Sequence, residues 1–305
     1  MILRQLVDDR SSAPLQTNIR QPYGEVARKL HVDEETVRSR IKKIHESGFI
    51  RGWYLVVNPH LLDMKMTSIL FDVPSAASKD DLIRKLKLIH GAVAIIGHYG
   101  RSMGVILFYE SEESVKKDVE LISRLSNTEN LLRVETPFPE CSADLSKKDW
   151  GIIGALQREP RKHYNLVAEE LGLSPKTAKR RIKRLIEEKA LFAVPSVDPK
   201  ALKGAIVADL VVLYADSKYK KELDESVISH LDHCLLRAET GDREHALFNL
   251  ILSNVAEADE IIRWVREQRG VGRAELELVQ DRIELYDTMH ELLNRKIAQV
   301  LAIAE

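Results

Sequence analysis

The sequence predicts an α+β fold built twice over. A helix-turn-helix module is followed by a small α/β domain, the pair is repeated, and a helix ends the chain. Three observations predict it. The first is self-similarity: Tyr23-Gly24-Glu25-Val26-Ala27-Arg28-Lys29-Leu30 returns as Tyr164-Asn165-Leu166-Val167-Ala168-Glu169-Glu170-Leu171, with Tyr, Val, Ala and Leu at one spacing. The register continues, Thr36 meeting Thr177, Arg40 meeting Arg181, Ile41 meeting Ile182, Lys42 meeting Lys183 and Glu46 meeting Glu187. The second is a helical apolar stripe behind a capping residue in each repeat, Val37, Ile41 and Ile44 after Asp33, and Ala178, Ile182 and Leu185 after Ser174. The third is the alternation of strand-length apolar runs with amphipathic helical stretches after each module. Prolines near Pro137-Phe138-Pro139 mark the joint between the halves.

The elements follow in order. Residues 1–60 form the first helix-turn-helix, with a short first helix at 1–7, a polar loop at 10–21, a capped helix from Asp33 ended by Gly48, and a hairpin-like wing at 50–58 closed by Pro59. Residues 64–140 form the first α/β domain, with strands at 67–73, 93–99, 103–108 and 131–136 and helices at 79–89 and 114–125. Residues 144–200 repeat the helix-turn-helix: a helix at 145–157, a second at 166–171, a tight turn at Gly172, and a third helix opened by Ser174 and Pro175. A strand-like wing at 192–197 follows. Residues 204–281 repeat the α/β domain, with strands at 207–214, 235–240, 246–252 and 273–279 and helices at 218–231 and 257–268. Residues 282–305 are a C-terminal helix; the helical pattern begins at Asp281, with Ile283, Tyr286, Leu293, Ile297 and Leu301 as a stripe for its own domain or for a second chain, dimerisation being the preferred use.

Composition narrows the function classes. Lys+Arg (46) and Asp+Glu (47) nearly cancel, so a polyanion partner requires local clustering of charge. The segment Met1-Ile2-Leu3-Arg4-Gln5-Leu6-Val7-Asp8-Asp9 has too short an apolar core for a secretory signal. No apolar run approaches the roughly 18 residues of a membrane span. Cys141 and Cys234 form no C-x-x-C pair, which argues against a disulfide framework or a thiolate zinc site. The expectation is a cytoplasmic protein without membrane contact, metal or cofactor.

Local clustering is what the second module supplies. Around its buried stripe, the third helix carries Lys176, Lys179, Arg180, Arg181, Lys183 and Arg184. Such a helix fits a major groove of double-stranded DNA, with Thr177 beside the cations; the plainer alternative is a solvated face on a structural helix. In the first module Arg38, Arg40 and Lys42 are interleaved with Glu34, Glu35 and Glu46, and acids at a helix N-terminus repel phosphate. The first module is expected to bind DNA more weakly or to serve as structure.

These segments resemble the leucine-responsive/asparagine regulator (Lrp/AsnC) family. The likeness is carried by Val37-x-x-Arg40-Ile41-x-x-Ile44-x-x-x-Gly48-Phe49-Ile50 and Val56-Val57-Asn58-Pro59 in the first copy. In the second it is carried by Asp149-x-x-Ile152-Ile153-x-x-Leu156, Val167-Ala168-x-x-Leu171-Gly172-Leu173-Ser174, Arg181-Ile182-x-x-Leu185 and Val197-Asp198-Pro199. Lys189-Ala190 departs from a family glycine, and carrying both modules twice is a second departure. The resemblance implies that each module is a winged helix-turn-helix. It further implies that each α/β domain is a βαββαβ ferredoxin-like (RAM-type) domain, which dimerises through its sheet and binds small effectors, often amino acids. The positions matching the family's effector turn are Gly97, His98 and Tyr99, and Thr240, Gly241 and Asp242; the alternative is that the glycines only make hairpin turns.

Other chemistry is less well supported. His230-x-x-His233-Cys234, with His245, offers metal-type donors, but polar residues at a helix C-terminus explain them more simply. Some proteins resembling this family are siroheme decarboxylases working as paired subunits. Their histidine-tyrosine-asparagine-tryptophan segment is only faintly echoed by His98-Tyr99-Gly100-Arg101, and they have no need of the basic helix. The expectation is therefore a transcription regulator rather than an enzyme, with the tetrapyrrole enzyme or a non-DNA-binding adaptor of the same fold as alternatives.

Overall fold

The computed structural model describes residues 23–302 except 137, 142 and 241, so the expected helix at 1–7 and loop at 10–21 lie outside the described residues. The first half runs α1 (Tyr23–Leu30), α2 (Glu34–Glu46), β1 (Ile50–Val57), β2 (Lys65–Asp72), α3 (Lys79–Leu86), β3 (Ala92–His98), β4 (Ser102–Tyr109), α4 (Glu112–Ser126) and β5 (Leu131–Glu135). The second half runs α5 (Lys147–Leu156), α6 (Tyr164–Glu170), α7 (Pro175–Glu187), β6 (Leu191–Val197), β7 (Ile206–Tyr214), α8 (Lys220–His230), β8 (Leu235–Glu239), β9 (His245–Leu252), α9 (Val255–Arg266) and β10 (Val271–Glu284). Helix α10 (Tyr286–Ala302) follows.

Local chemistry sets the helix boundaries. The Asp33 carboxylate accepts from Thr36 N at 2.6 Å to open α2, and Ser174 Oγ accepts from Thr177 N at 3.2 Å to open α7, where Pro175 takes the first turn. Gly48 leaves α2 in the left-handed region at φ +78. Its counterpart Lys189 adopts the same region at φ +59, despite its side chain. Two hydrogen bonds hold it there, Lys189 N to Ile186 O (3.1 Å) and Ala190 N to Leu185 O (2.8 Å).

The first wing is not the hairpin expected at 50–58 but a single strand, as the second wing at 192–197 is. β1 and β6 are single strands that pair antiparallel with each other across the two halves, Tyr54 opposite Val194 and Val56 opposite Phe192. β6 is buried almost throughout and β1 is buried over Tyr54–Val57, so each needs a partner that its own module lacks. Beside this ladder Asn58 is fully buried; its amide donates to Pro139 O and Lys189 O, both at 2.9 Å.

The remaining strands form one eight-stranded sheet, β5-β2-β4-β3-β10-β7-β9-β8. Each half contributes a βαββαβ unit whose strands lie in the order fourth-first-third-second, the ferredoxin-like arrangement. The halves join through β10: its first part, Val271–Leu278, pairs with β7, and its end, Val279–Glu284, pairs with β3 of the other half. The outer strands also meet. Thr136 Oγ1 donates to Glu239 Oε2 at 2.9 Å, and Glu135 N to Asp242 Oδ2 at 3.3 Å. The α/β domains thus pair within one chain.

The tail helix starts at Tyr286 rather than at Asp281. Residues 281–284 stay extended because β3 offers a ladder and buried partners absorb their charges: Arg282 Nε meets Glu284 Oε1 at 3.2 Å, and Ser196 Oγ donates to Glu284 Oε2 at 3.0 Å. Ile283 consequently packs in the first α/β core, not in a helical stripe. In α10 Leu292 and Leu293 are buried, Ile297 packs beside Trp150 and Leu156, and Gln157 Nε2 donates to His290 O at 3.1 Å. The stripe offered for dimerisation is largely covered by the chain itself, Leu301 staying exposed.

Asp149 anchors the second module. Fully buried, it takes Arg181 Nη1 at 2.8 Å and Arg184 Nη2 at 2.9 Å and caps α5 through Ser146. Burial alone would raise its pKa, but the hydrogen bonds from Ser146 and Arg181 outweigh it and hold the carboxyl below the ordinary aspartate value. Asp149→Ala should cost about 3–5 kcal/mol, because two guanidinium groups lose a buried partner. Since the native pKa is depressed, this contribution is complete above the ordinary aspartate range and fades as pH falls through the native value. Urea unfolding of both proteins at neutral and acid pH measures it, the gap between them narrowing in acid. Lys189→Gly should raise stability by about 0.5–1 kcal/mol, relieving a side chain from a left-handed position; an unchanged melting midpoint would show that the position carries no strain.

Candidate functional site

The cationic face sits on α7. Ala178, Ile182 and Leu185 are fully buried and fasten the helix to α5 and α6. Lys176, Lys179, Arg180 and Lys183 are exposed on the other faces. No acid stands in the first turn, so the partial positive charge of the helix N-terminus reinforces the side chains. Lys183 lies 3.5 Å from Glu187, both well exposed, which leaves its ammonium exchangeable. Two of the expected residues are engaged otherwise. Arg181 is drawn inward by Asp149, and the Thr177 hydroxyl shares a 2.9 Å hydrogen bond with Ser174 at the cap.

Helix α2 presents a different surface. Arg38 is bonded to Glu34 at 2.7 Å, and Lys42 lies 3.7 Å from Glu46, while Arg40 is exposed. Glu34 and Glu35 occupy the first turn, where α7 has none. The two modules touch through Arg161, which donates to Tyr23 Oη at 3.1 Å and lies 5.4 Å from the Trp53 ring centre.

A second candidate site is a cleft of about 700 Å³ between the halves. On its floor His98 Nε2 is 3.0 Å from Asp209 Oδ2, both almost fully buried. Asn249 Nδ2 donates to Asp209 Oδ1 at 2.6 Å. Burial pushes the Asp209 pKa up, but the bonds from His98 and Asn249 prevail and keep it below the ordinary value. Asp72, Arg101, Arg273, Glu275 and Glu277 line the walls, so charges of both signs face the space; burial raises the Glu277 pKa. Leu70, Phe71, Leu131 and Val211 add apolar surface.

The expected effector residues do not converge. Of these, His98 alone lines the cleft among the described residues. Gly97 precedes it on β3, and Tyr99 is exposed while its N donates to Leu278 O at 2.8 Å. Thr240 and Asp242 lie where β8 approaches β5, with Asp242 bonded to Glu135 N and His245; Gly241 is outside the described residues. Sequence reasoning missed Asp209 and a pair of lysines. Lys79 donates to His98 O at 2.6 Å and Lys220 to Thr240 O at 2.6 Å, each from the first position of a helix. The repeat register aligns these lysines and could have flagged them. Asp209 had no local signal, because its partner histidine comes from the other half.

Among the described residues no helix is long and apolar enough to cross a membrane. The arrangement defines a class first: paired helix-turn-helix modules carried on a doubled ferredoxin-like sheet. A family model for winged helix-turn-helix DNA-binding matches residues 145–189, the module that bears the cationic face. The HTH-type transcriptional regulator LrpA of Pyrococcus horikoshii is 30% identical over 98 residues, covering 28% of this chain and 70% of that protein. The regulator Ptr1 of Methanocaldococcus jannaschii is 27% identical over 110 residues, covering 36% and 70%. The chain belongs to the Lrp/AsnC family of transcriptional regulators. Among solved structures, the siroheme decarboxylase NirDL aligns over 98% of both chains with a TM-score of 0.55 and 13% identity, a likeness of fold.

The cleft yields a prediction of its own. Asp209→Leu removes the acceptor of a buried histidine from one half and of a half-buried amide from the other, and should lower stability by about 1–3 kcal/mol. A midpoint in urea equal to that of the unmodified protein would show that the dyad does not hold the halves.

Proposed function

We propose that the protein is a sequence-specific DNA-binding transcription regulator whose second helix-turn-helix makes the dominant contact and whose cleft between the halves receives a small effector. The observation that carries the reading is α7. Its apolar stripe is buried while Lys176, Lys179, Arg180 and Lys183 remain exposed around a helix start free of acids. Groove contacts fall to these four, with Thr177 near the phosphates, and Arg181 supports the helix from behind. Arg38, Arg40 and Lys42 form a weaker second surface, because carboxylates neighbour two of them and cap their helix. The effector site is the space beside His98; its chain neighbours Gly97 and Tyr99 lie outside the lining. Walls of both charge signs suit a zwitterion such as an amino acid. Asp242 then acts on it through its bond to Glu135 N, where β8 approaches β5. The protein works as a homo-oligomer, a dimer of already paired halves, without an enzymatic step.

The family relation supports regulation of transcription, while the fold shared with NirDL carries no chemistry by itself. The deciding experiment is a titration of duplex DNA, the protein's own upstream region against a random duplex, at two salt concentrations. Tight, salt-steep binding that favours the upstream duplex is expected. Lys183→Ala should weaken both duplexes alike and reduce the salt slope by about 1, whereas Arg40→Ala should leave the slope nearly unchanged. No binding to either duplex at low salt would overturn the reading in favour of the tetrapyrrole enzyme or the adaptor.

A further inference from the structure

Donors from two elements meet at the edge of the second α/β domain. α8 ends at His230, and a short turn leads to β8. The turn is pinned: Cys234 N and Leu235 N both donate to Leu231 O, at 2.9 and 2.7 Å, and Cys234 O accepts from Ile251 N at 2.9 Å. Cys234 is therefore held at the rim of the core, only 5% exposed. Opposite it stands the start of α9. Asn254 caps that helix by accepting from Glu257 N at 3.0 Å, and the Glu257 carboxylate folds back onto Ser253 N at 2.5 Å. The other oxygen of Glu257 meets His233 Nε2 at 3.0 Å. The donor atoms of His233, Cys234 and Glu257 all lie within 4.8 Å of one another.

We infer that His233 Nε2, Cys234 Sγ and a Glu257 carboxylate oxygen form a binding site for a divalent cation of the zinc type. The donor set selects the metal. Nitrogen, sulfur and oxygen together suit Zn²⁺ or Co²⁺, whereas Mg²⁺ and Ca²⁺ take oxygen shells. A thiolate and a carboxylate neutralise the dication, and binding releases the thiol proton. Bonds of about 2.0–2.3 Å place tetrahedral donors roughly 3.5 Å apart, so the cluster needs to contract by only about 1 Å. Cys234 and Glu257 are fixed by backbone hydrogen bonds. His233, exposed to solvent, supplies the movement by exchanging its bond to Glu257 for one to the metal. The fourth position opens to water. His230 and His245, the partners suggested by sequence, are used elsewhere: His230 stacks on Trp264 at 3.7 Å, and His245 is bonded to Asp242. The metal would tie the turn before β8 to the start of α9, and binding to the folded state alone raises its stability.

The test is a titration of Co²⁺ into the full-length, reduced, chelator-treated protein, read by absorption. A saturable one-to-one response with a near-ultraviolet sulfur-to-cobalt charge-transfer band, bleached by Zn²⁺, is expected. Cys234→Ser should abolish that band and Cys141→Ser should keep it. His233→Ala, a change at the surface that leaves the core packing intact, should weaken Co²⁺ binding by about tenfold or more, as should Glu257→Gln. Absence of the band in the unmodified protein, its loss in Cys141→Ser, or undiminished affinity in His233→Ala would overturn the assignment.

Discussion

Strand β10 hydrogen-bonds to β7 of its own unit and then, without leaving the sheet, to β3 of the other half. Everything else about the arrangement of the chain rests on that shared strand. It brings Asp209 under His98, creates the cleft between the two units, and delivers α10 to the groove beside α5. Because the sheet curls until β5 approaches β8, the same geometry is closed a second time by Thr136 with Glu239 and Glu135 with Asp242. The β1–β6 ladder then sets the two helix-turn-helix modules side by side, and Arg161 of one braces Tyr23 and Trp53 of the other.

Elements governed by local chemistry were legible in the sequence. The caps at Asp33 and Ser174, the glycine after α2 and the strand and helix order of both ferredoxin-like units follow from residues a few positions apart. What stayed hidden depends on partners far along the chain. A wing strand reads as half of a hairpin unless its partner about 140 residues away is known. The polar run Gln280-Asp281-Arg282 reads as the end of a strand because Tyr54 and Asp209, which surround the Arg282 charge, come from other elements. Burial works against the Arg282 charge, yet Tyr54 and Glu284 hold its pKa above the ordinary value. Among the site residues, the density of cations on α7 was visible, but the withdrawal of Arg181 toward Asp149 was not, since periodicity assigns faces and not ion pairs.

The two recognition helices show how one framework accommodates unequal surfaces. α2 and α7 are each thirteen residues long, with buried stripes at matching positions, so packing constrains them alike. Their exposed faces answer to no such constraint. α2 sets Arg38 and Lys42 against neighbouring carboxylates and carries two acids in its first turn, while α7 has no acid in its first turn and faces Lys183 toward Glu187. Lys189 points the same way: with hydrogen bonds enough to hold the turn, a lysine takes the left-handed position that Gly48 takes in the other half.

Pairing of the α/β domains inside a single chain changes how the assembly responds to dilution and to mutation. Association of the two units is unimolecular, so its extent is independent of protein concentration and limited only by unfolding. A substitution also alters one unit and not both, whereas in a symmetric dimer every change appears twice, across the axis as well as in place. A buried pair such as His98 with Asp209 can therefore exist on one side of the molecule while Thr240 and Ser68, in the matching positions of the repeat, do something else. Fusion frees each half to drift chemically without ever losing its partner.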